Sequence, residues 1–202
     1  MELLSSFIDV SFPLGMPSIE WQILFTMLSG LWVLLEIFIG TLGLSAQSIV
    51  SDRGSALVII ITCVGAIALA TSVRINWSHP MSEWMQWVGL LVMAFGLLVR
   101  YGSIRWLGPM FTRMVQVLPN HRLVTNGPYS IVRHPAYAGL LLFFIGIGFA
   151  LGDWLSLLFL TFIPPVGIIY RIKVEEHALL EAFGEEYRAY MHKVRGLVPF
   201  VY

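Results

Sequence analysis

Long apolar runs alternate with short polar intervals along this chain, and the runs set its architecture. The first goes from Trp21 to about Ala46, with Glu36 interrupting it; it is long enough to span ~30 Å of hydrocarbon. A second covers Ala56 to Val73, and a third starts at Trp84, reaching about Leu98 and continuing to Trp106 past Arg100 and Arg105. The fourth and fifth, Ala136 to Leu151 and Trp154 to Tyr170, are split only by Gly152-Asp153. So tight a connection makes them an antiparallel hairpin across the membrane. Pro164-Pro165 removes two backbone donors and should bend the fifth helix. Beyond Arg171 the period remains helical: Leu180, Phe183, Tyr187, Tyr190 or Met191, and Val194 form one apolar stripe, with Gly184 as a breaking point. Residues 1–20 hold Pro13 and Pro17 and read as a surface lead-in. They lack the basic start of a cleaved signal peptide. The pattern predicts an all-α integral membrane protein with about five transmembrane helices.

Composition agrees. Of 202 residues, 57 % are hydrophobic and only 12 % charged, and the mean hydropathy is +0.80. That is too little charge to cover a soluble globule. The net charge is zero, so no general attraction to nucleic acid is implied. The single cysteine, Cys63, sits inside an apolar run, which leaves neither a disulfide framework nor a cysteine metal site, and no metal is expected. Walker, GxGxxG and HExxH signatures are missing. One membrane domain over 1–202 is the expectation, divided into a three-helix part (1–109) and a motif-bearing region (110–202).

Basic residues decide orientation. Arg100, Arg105, Arg113, Arg122 and Arg133 fall between the third and fourth runs, and Arg171, Lys173, Arg188, Lys193 and Arg195 fall in the tail. Arg53 falls on the same side, which leaves Arg74 as the exception. The positive-inside rule therefore puts the N-terminus outside, with the loop and the C-terminus in the cytoplasm.

Candidate chemistry concentrates in the stretch HRLVTNGPYSIVRHPAY, from His121 to Tyr137, whose charges are all positive. Asn126-Gly127-Pro128 is a turn by composition. Pro135 suits the first position of a helix, which leaves His134 near the cap. Together with Arg133, such a helix start suits an anionic ligand group; a plain cationic cytoplasmic loop has the same composition. Arg171 and Glu175 lie four apart on one helix face. They form either an ordinary surface pair or two walls of a cavity, with Glu175 toward a ligand's hydroxyls or amine and Arg171 toward an anion. Glu36 is an intramembrane acid with no basic neighbour in sequence, expected at a helix contact. Asp153 reads as a solvated turn residue and His79 as surface.

The C-terminal half resembles the isoprenylcysteine carboxyl methyltransferase family. The resemblance rests on Leu123-Val124-Thr125-Asn126-Gly127-Pro128-Tyr129 and on Arg133-His134-Pro135-Ala136-Tyr137-Ala138-Gly139. After the hairpin come Arg171, Glu175 and Glu176, then Phe183-Gly184-Glu185-Glu186-Tyr187, and last Val198-Pro199. It covers roughly residues 110–200. The resemblance implies a fold in which S-adenosylmethionine occupies a cytosol-facing cavity closed by the loop and the C-terminal helix. It further implies a lipid-like or prenylated acceptor entering between helices, and S-adenosylhomocysteine as product. Carried over residue by residue, it implies cofactor contacts at Gln116, His121, Arg122, Leu123, Val124, Tyr129, His134, Pro135, Ala136, Tyr137 and Glu175, with Arg171 positioning the acceptor. The interval from Gln116 to His121 is shorter here than in the eukaryotic carboxyl methyltransferases. A carboxylate acceptor is ionised at neutral pH, so its methylation needs positioning and water exclusion more than a general base. Two other enzymatic readings remain at this point: a phospholipid amine N-methyltransferase, and an NADPH-dependent sterol-type reductase, whose pattern differs from His134-Pro135-Ala136-Tyr137. A membrane scaffold without cofactor affinity is the non-enzymatic reading.

Overall fold

The computed structural model describes residues 18–41, 49–50, 54–77, 79–111, 116–117 and 123–197. Its helices are α1 (Ile19–Thr41), α2 (Ser55–Asn76), α3 (Glu83–Leu107), α4 (Pro135–Ala150), α5 (Trp154–Phe162), α6 (Pro164–Phe183) and α7 (Glu185–Lys193). Short 3-10 turns occupy Gly108–Met110 and Gly127–Ser130. Among the described residues there is also an antiparallel two-residue pair, β1 (Ile49–Val50) on β2 (Gln116–Val117), with Ile49 opposite Val117. By length and composition α1, α2, α3 and the α5–α6 stretch can each cross a membrane. The fifth apolar helix, α4, has 16 residues and reaches about 24 Å at the usual rise.

The fifth apolar run breaks where the prolines demand. α5 ends at Phe162, Ile163 bends, and α6 begins with Pro164 and Pro165 in its first turn, where their missing N–H groups cost nothing. Asp153 differs from the expectation of a solvated turn residue. It is fully buried and caps α5, accepting from the Ser156 backbone N–H at 2.8 Å and its hydroxyl at 3.0 Å, and from the His79 N–H. His79 itself is exposed, as expected.

α3 and α4 pack closely because glycines line the seam. A Cβ built on Gly96 would lie 2.6 Å from the backbone N of Phe143, and one on Gly139 2.5 Å from that of Arg100. In a membrane, where burial of apolar side chains gives little drive, such small-residue seams allow the close van der Waals contact that holds helices together. The core under this seam includes Met93, Phe143, Phe144, Leu160 and Ile168, all fully buried. Large apolar residues such as Met27, Leu34, Leu91 and Leu98 face outward, as suits a surface in contact with lipid.

Candidate active site

At the end of the bundle where the α3–α4 connection meets the tail, a cavity of about 320 Å³ opens between α1, α2, α4, α6 and α7. Its deeper wall is mostly apolar, with Trp32, Ile59, Cys63, Val64 and Leu140, and also holds Glu36 and Arg100. Its loop-side wall is polar, with Arg133, His134, Tyr137, Arg171, Glu175 and Tyr187. The local sequence builds that polar wall. His134 is the N-cap of α4 with Pro135 at its first position, which turns the chain so that Ala136 and Tyr137 enter the cavity one after the other. The preceding turn needs Gly127: its φ is +58°, and a Cβ there would lie 2.3 Å from the Trp106 ring. Trp106 in turn donates to Asn126 Oδ1 at 3.1 Å.

Arg171 and Glu175, one turn apart on α6, are joined through Tyr137. The Tyr137 hydroxyl donates to Glu175 Oε2 at 2.9 Å and accepts from Arg171 Nε at 3.2 Å. Arg171 also donates from Nη1 to Ser55 Oγ at 2.8 Å, and at 4 % exposure it is no surface cation. A second cluster ties the tail to the loop. Glu176 Oε1 accepts from Arg133 Nη2 at 2.8 Å and Nε at 3.0 Å, and from His134 Nε2 at 3.0 Å. Arg133 also donates to the carbonyls of Met191 and Val194, while the Arg133 and His134 N–H groups reach the carbonyls of Arg195 and Gly196 at 2.7 and 3.0 Å. Arg133 and His134 are thereby held by an acid of the protein. Their cationic helix start, expected for a ligand anion, already has a partner in Glu176.

Tyr129 is buried and donates to the Ser103 carbonyl at 3.3 Å, while its own carbonyl accepts from the Tyr190 hydroxyl. Burial raises the Tyr129 phenol well above its ordinary range, and the nearby Glu175 charge adds to this, so it stays protonated. Deeper in the wall Glu36 is paired: Arg100 Nε reaches its Oε1 at 2.6 Å and Nη2 its Oε2 at 3.0 Å. Arg100 lies inside α3 and not in the following loop, and its Nη1 donates to the Ala136 carbonyl at 3.2 Å. Two polar groups lining the cavity, the Trp32 indole N–H and the Tyr187 hydroxyl, are buried without a hydrogen-bond partner among the described residues.

Of the residues singled out in sequence, Leu123, Val124, Tyr129, His134, Ala136, Tyr137, Arg171 and Glu175 all line this one cavity. Pro135 is buried at the start of α4 and is not part of the lining. Gln116 contributes backbone to β2; His121 and Arg122 lie outside the described residues. Sequence reasoning missed Arg100, Ser55, Glu176 as a clamp, and Tyr187. Signals existed for three of them: Arg100 is a charge within an apolar run matching Glu36 in the first, and Glu176 and Tyr187 belong to the residues that carry the family resemblance.

Residues 84–186, just over half of the chain, match the family described as phospholipid methyltransferase. Protein-S-isoprenylcysteine O-methyltransferase B of Arabidopsis thaliana is 29 % identical over 147 residues, covering 72 % of each chain. Protein-S-isoprenylcysteine O-methyltransferase of Xenopus laevis is 35 % identical over 120 residues, 58 % of this chain and 42 % of that one. The solved structure of the eukaryotic intramembrane Ras methyltransferase, isoprenylcysteine carboxyl methyltransferase, superposes with a TM-score of 0.56 at 28 % identity, covering 73 % of this chain and 51 % of that one. The chain thus spans between two fifths and three quarters of the length of these relatives. The helical fold, the family match and these relatives converge: the chain belongs to the phospholipid methyltransferase family of membrane proteins, as one of its members resembling the isoprenylcysteine carboxyl methyltransferases.

Proposed function

We propose that this protein transfers a methyl group from S-adenosylmethionine to the carboxylate of a prenylcysteine-like, membrane-embedded acceptor. The observation that carries the reading is the Arg171–Tyr137–Glu175 chain of hydrogen bonds on the polar wall of a cavity whose other wall is mostly apolar. Such a site has a carboxylate for a cation, a guanidinium for an anion, and greasy walls for a lipid tail.

The residues present fit the cofactor. Glu175 supplies the negative charge that a sulfonium or ammonium requires, and the cavity leaves the buried Tyr187 hydroxyl and Trp32 N–H unsatisfied, as a site does when its ligand supplies the missing partners. Glu175, with Leu123, Val124, Tyr129, His134, Ala136 and Tyr137 around it, would hold S-adenosylmethionine; Gln116, His121 and Arg122 belong to the same proposed set. When bound, the cofactor would supply an electrophilic methyl group on its sulfonium.

Arg171 has the other role. Its planar fork can hold a carboxylate in two parallel hydrogen bonds, and the Ser55 hydroxyl and Tyr137 phenol fix its orientation. The protein therefore orients an anion that is already nucleophilic and keeps water from it; no residue has to remove a proton. The loop and tail would face the cytoplasm, a reading that the distribution of Lys and Arg supports. The phospholipid-amine and reductase readings are not favoured, because the similar proteins named above are isoprenylcysteine methyltransferases.

The test is a radiolabelled methyl-transfer assay with purified protein in detergent, against prenylcysteines, their C-terminal amides, and phospholipids. Label should enter the free-acid prenylcysteines as base-labile ester and be absent from the amides. Label in phospholipid headgroups, or in the amides, would overturn the acceptor assignment.

A further inference from the structure

Tyr187 stands apart from the other tyrosines on the cavity wall. Tyr137 donates to Glu175, Tyr129 to the Ser103 carbonyl and Tyr190 to the Tyr129 carbonyl. Tyr187 is 1 % exposed, and its hydroxyl has no partner among the described residues. Native structures seldom carry a buried, unsatisfied hydroxyl without a reason.

Its position is deliberate in the fold. α6 ends at Gly184, whose φ of 52° and ψ of −121° favour glycine, and α7 sets off in a new direction. That turn brings Tyr187 into the cavity wall, while Tyr190, its ring 5.9 Å away, fastens α7 to the loop through the Tyr129 carbonyl. A straight continuation of α6 would not need the glycine. The pair therefore divides the work: one phenol holds the tail in place, and the other keeps an unspent hydroxyl in the cavity wall.

We infer that Tyr187 is a further cofactor-binding residue, whose hydroxyl donates a hydrogen bond to an uncharged acceptor atom of the nucleoside part of the cofactor. This rests on the S-adenosylmethionine reading above. The choice of nucleoside follows from the charges nearby. Burial raises the Tyr187 phenol above its ordinary range, and the charges of Glu176 and Glu175 raise it further, so it remains a donor. Glu176 is already paired with Arg133 and His134, and the Glu175 charge disfavours an anionic ligand group at this spot. An adenine ring nitrogen or a ribose oxygen accepts the hydrogen bond without adding negative charge.

Calorimetric titration of the full chain with S-adenosylhomocysteine, beside thermal melts of the ligand-free protein, tests this for wild type, Tyr187→Phe and Tyr190→Phe. Tyr187→Phe should weaken binding roughly five- to thirtyfold, the value of one lost hydrogen bond. Its ligand-free melting temperature should stay level or rise, because no hydrogen bond to a described residue is removed. Tyr190→Phe should lower that temperature, because its bond to the loop is lost. Adenosine, used as a competitor, should lose affinity for Tyr187→Phe by a similar factor. Unchanged S-adenosylhomocysteine affinity in Tyr187→Phe, with wild type binding normally, would overturn the inference and leave the cofactor reading intact. So would a ligand-free melt that falls as far as that of Tyr190→Phe, which would make the tyrosine structural. Adenosine competition that ignores the substitution would overturn the nucleoside assignment. Wild type that binds no S-adenosylhomocysteine would overturn the cofactor reading and this inference with it.

Discussion

The Tyr137 hydroxyl sits between a guanidinium and a carboxylate, so Tyr137→Phe removes an acceptor from Arg171 and a donor from Glu175 in one step. Hydrogen bonds to charged groups contribute about 1.5–3 kcal/mol each. The variant should lose at least about tenfold in turnover while its helical circular dichroism stays unchanged, and full activity would show that the bridge does nothing. Asp153, at the far end of the bundle, makes a different prediction. Burial alone would raise its pKa, but hydrogen bonds from His79 and Ser156 outweigh that and hold the carboxyl below its ordinary value. A depressed carboxylate stabilises the fold above its unfolded pKa of about 3.9, and the contribution is lost as pH falls through the folded value. Asp153→Ala should therefore cost about 1 kcal/mol at pH 7, typical of a lost helix cap. The gap to wild type in thermal melts should narrow as the pH is taken below about 4. A gap independent of pH would contradict the charged cap. Both residues show what sequence leaves out at this scale. Tyr137 was legible through its neighbours His134-Pro135, but nothing in sequence says that its phenol bridges two side chains of α6. Asp153 was misread because a Gly-Asp turn looks solvated until the α2–α3 connection is seen closing over it at His79.

Helix ends and most helix lengths were legible, since apolar runs, Pro164-Pro165 and Gly184 act through local backbone chemistry. Which helices touch was not. The glycines of α3 and α4 look permissive in sequence, yet the seam between them brings Arg100 against the Ala136 carbonyl. Glu36 seemed to lack a base because its partner is 64 positions away in the chain. That pair attaches α1, whose outward faces are otherwise lipid-facing, to the wall of the cavity. Breaking one side of such a partly buried ion pair leaves a charge uncompensated in a poor solvent, at a cost of about 3 kcal/mol. Glu36→Ala and Arg100→Ala should each lower the melting temperature, and the double variant should be less destabilised than the sum of the two. Additive losses would show that the pair is not coupled. A bulky residue on the seam acts differently: Gly139→Leu should prevent the α3–α4 approach and yield no stable protein, whereas Gly102→Leu, which meets open space, should fold.

At the scale of the molecule, the polar half of the cavity exists because two distant segments meet. The loop before α4 is clamped to α6 by Arg133, His134 and Glu176, and to the tail beyond α6 through the carbonyls of Met191, Val194, Arg195 and Gly196. The resemblance in sequence named both segments as a site, and the structure adds the hydrogen bonds that join them. The tail, which also reads as a solvated amphipathic helix, instead turns Tyr187 and Tyr190 inward, while Glu181, Glu185 and Glu186 remain exposed. Orientation is open to a simple test: reporter fusions after Asp153 and at Tyr202 should report opposite sides of the membrane, the second cytoplasmic. A cytoplasmic signal at both would contradict the topology. The decisive question is whether one cavity separates cofactor from acceptor along α6. The direct measurement is calorimetry of S-adenosylhomocysteine binding to wild type, Glu175→Gln and Arg171→Lys. Glu175→Gln keeps shape and removes a charge facing the cofactor, so its affinity should fall by about one to two decades, equivalent to about 1–3 kcal/mol. Arg171→Lys keeps the charge and loses the fork, so its affinity should match wild type. Equal affinities in all three proteins, or a loss confined to Arg171→Lys, would contradict the division of the site.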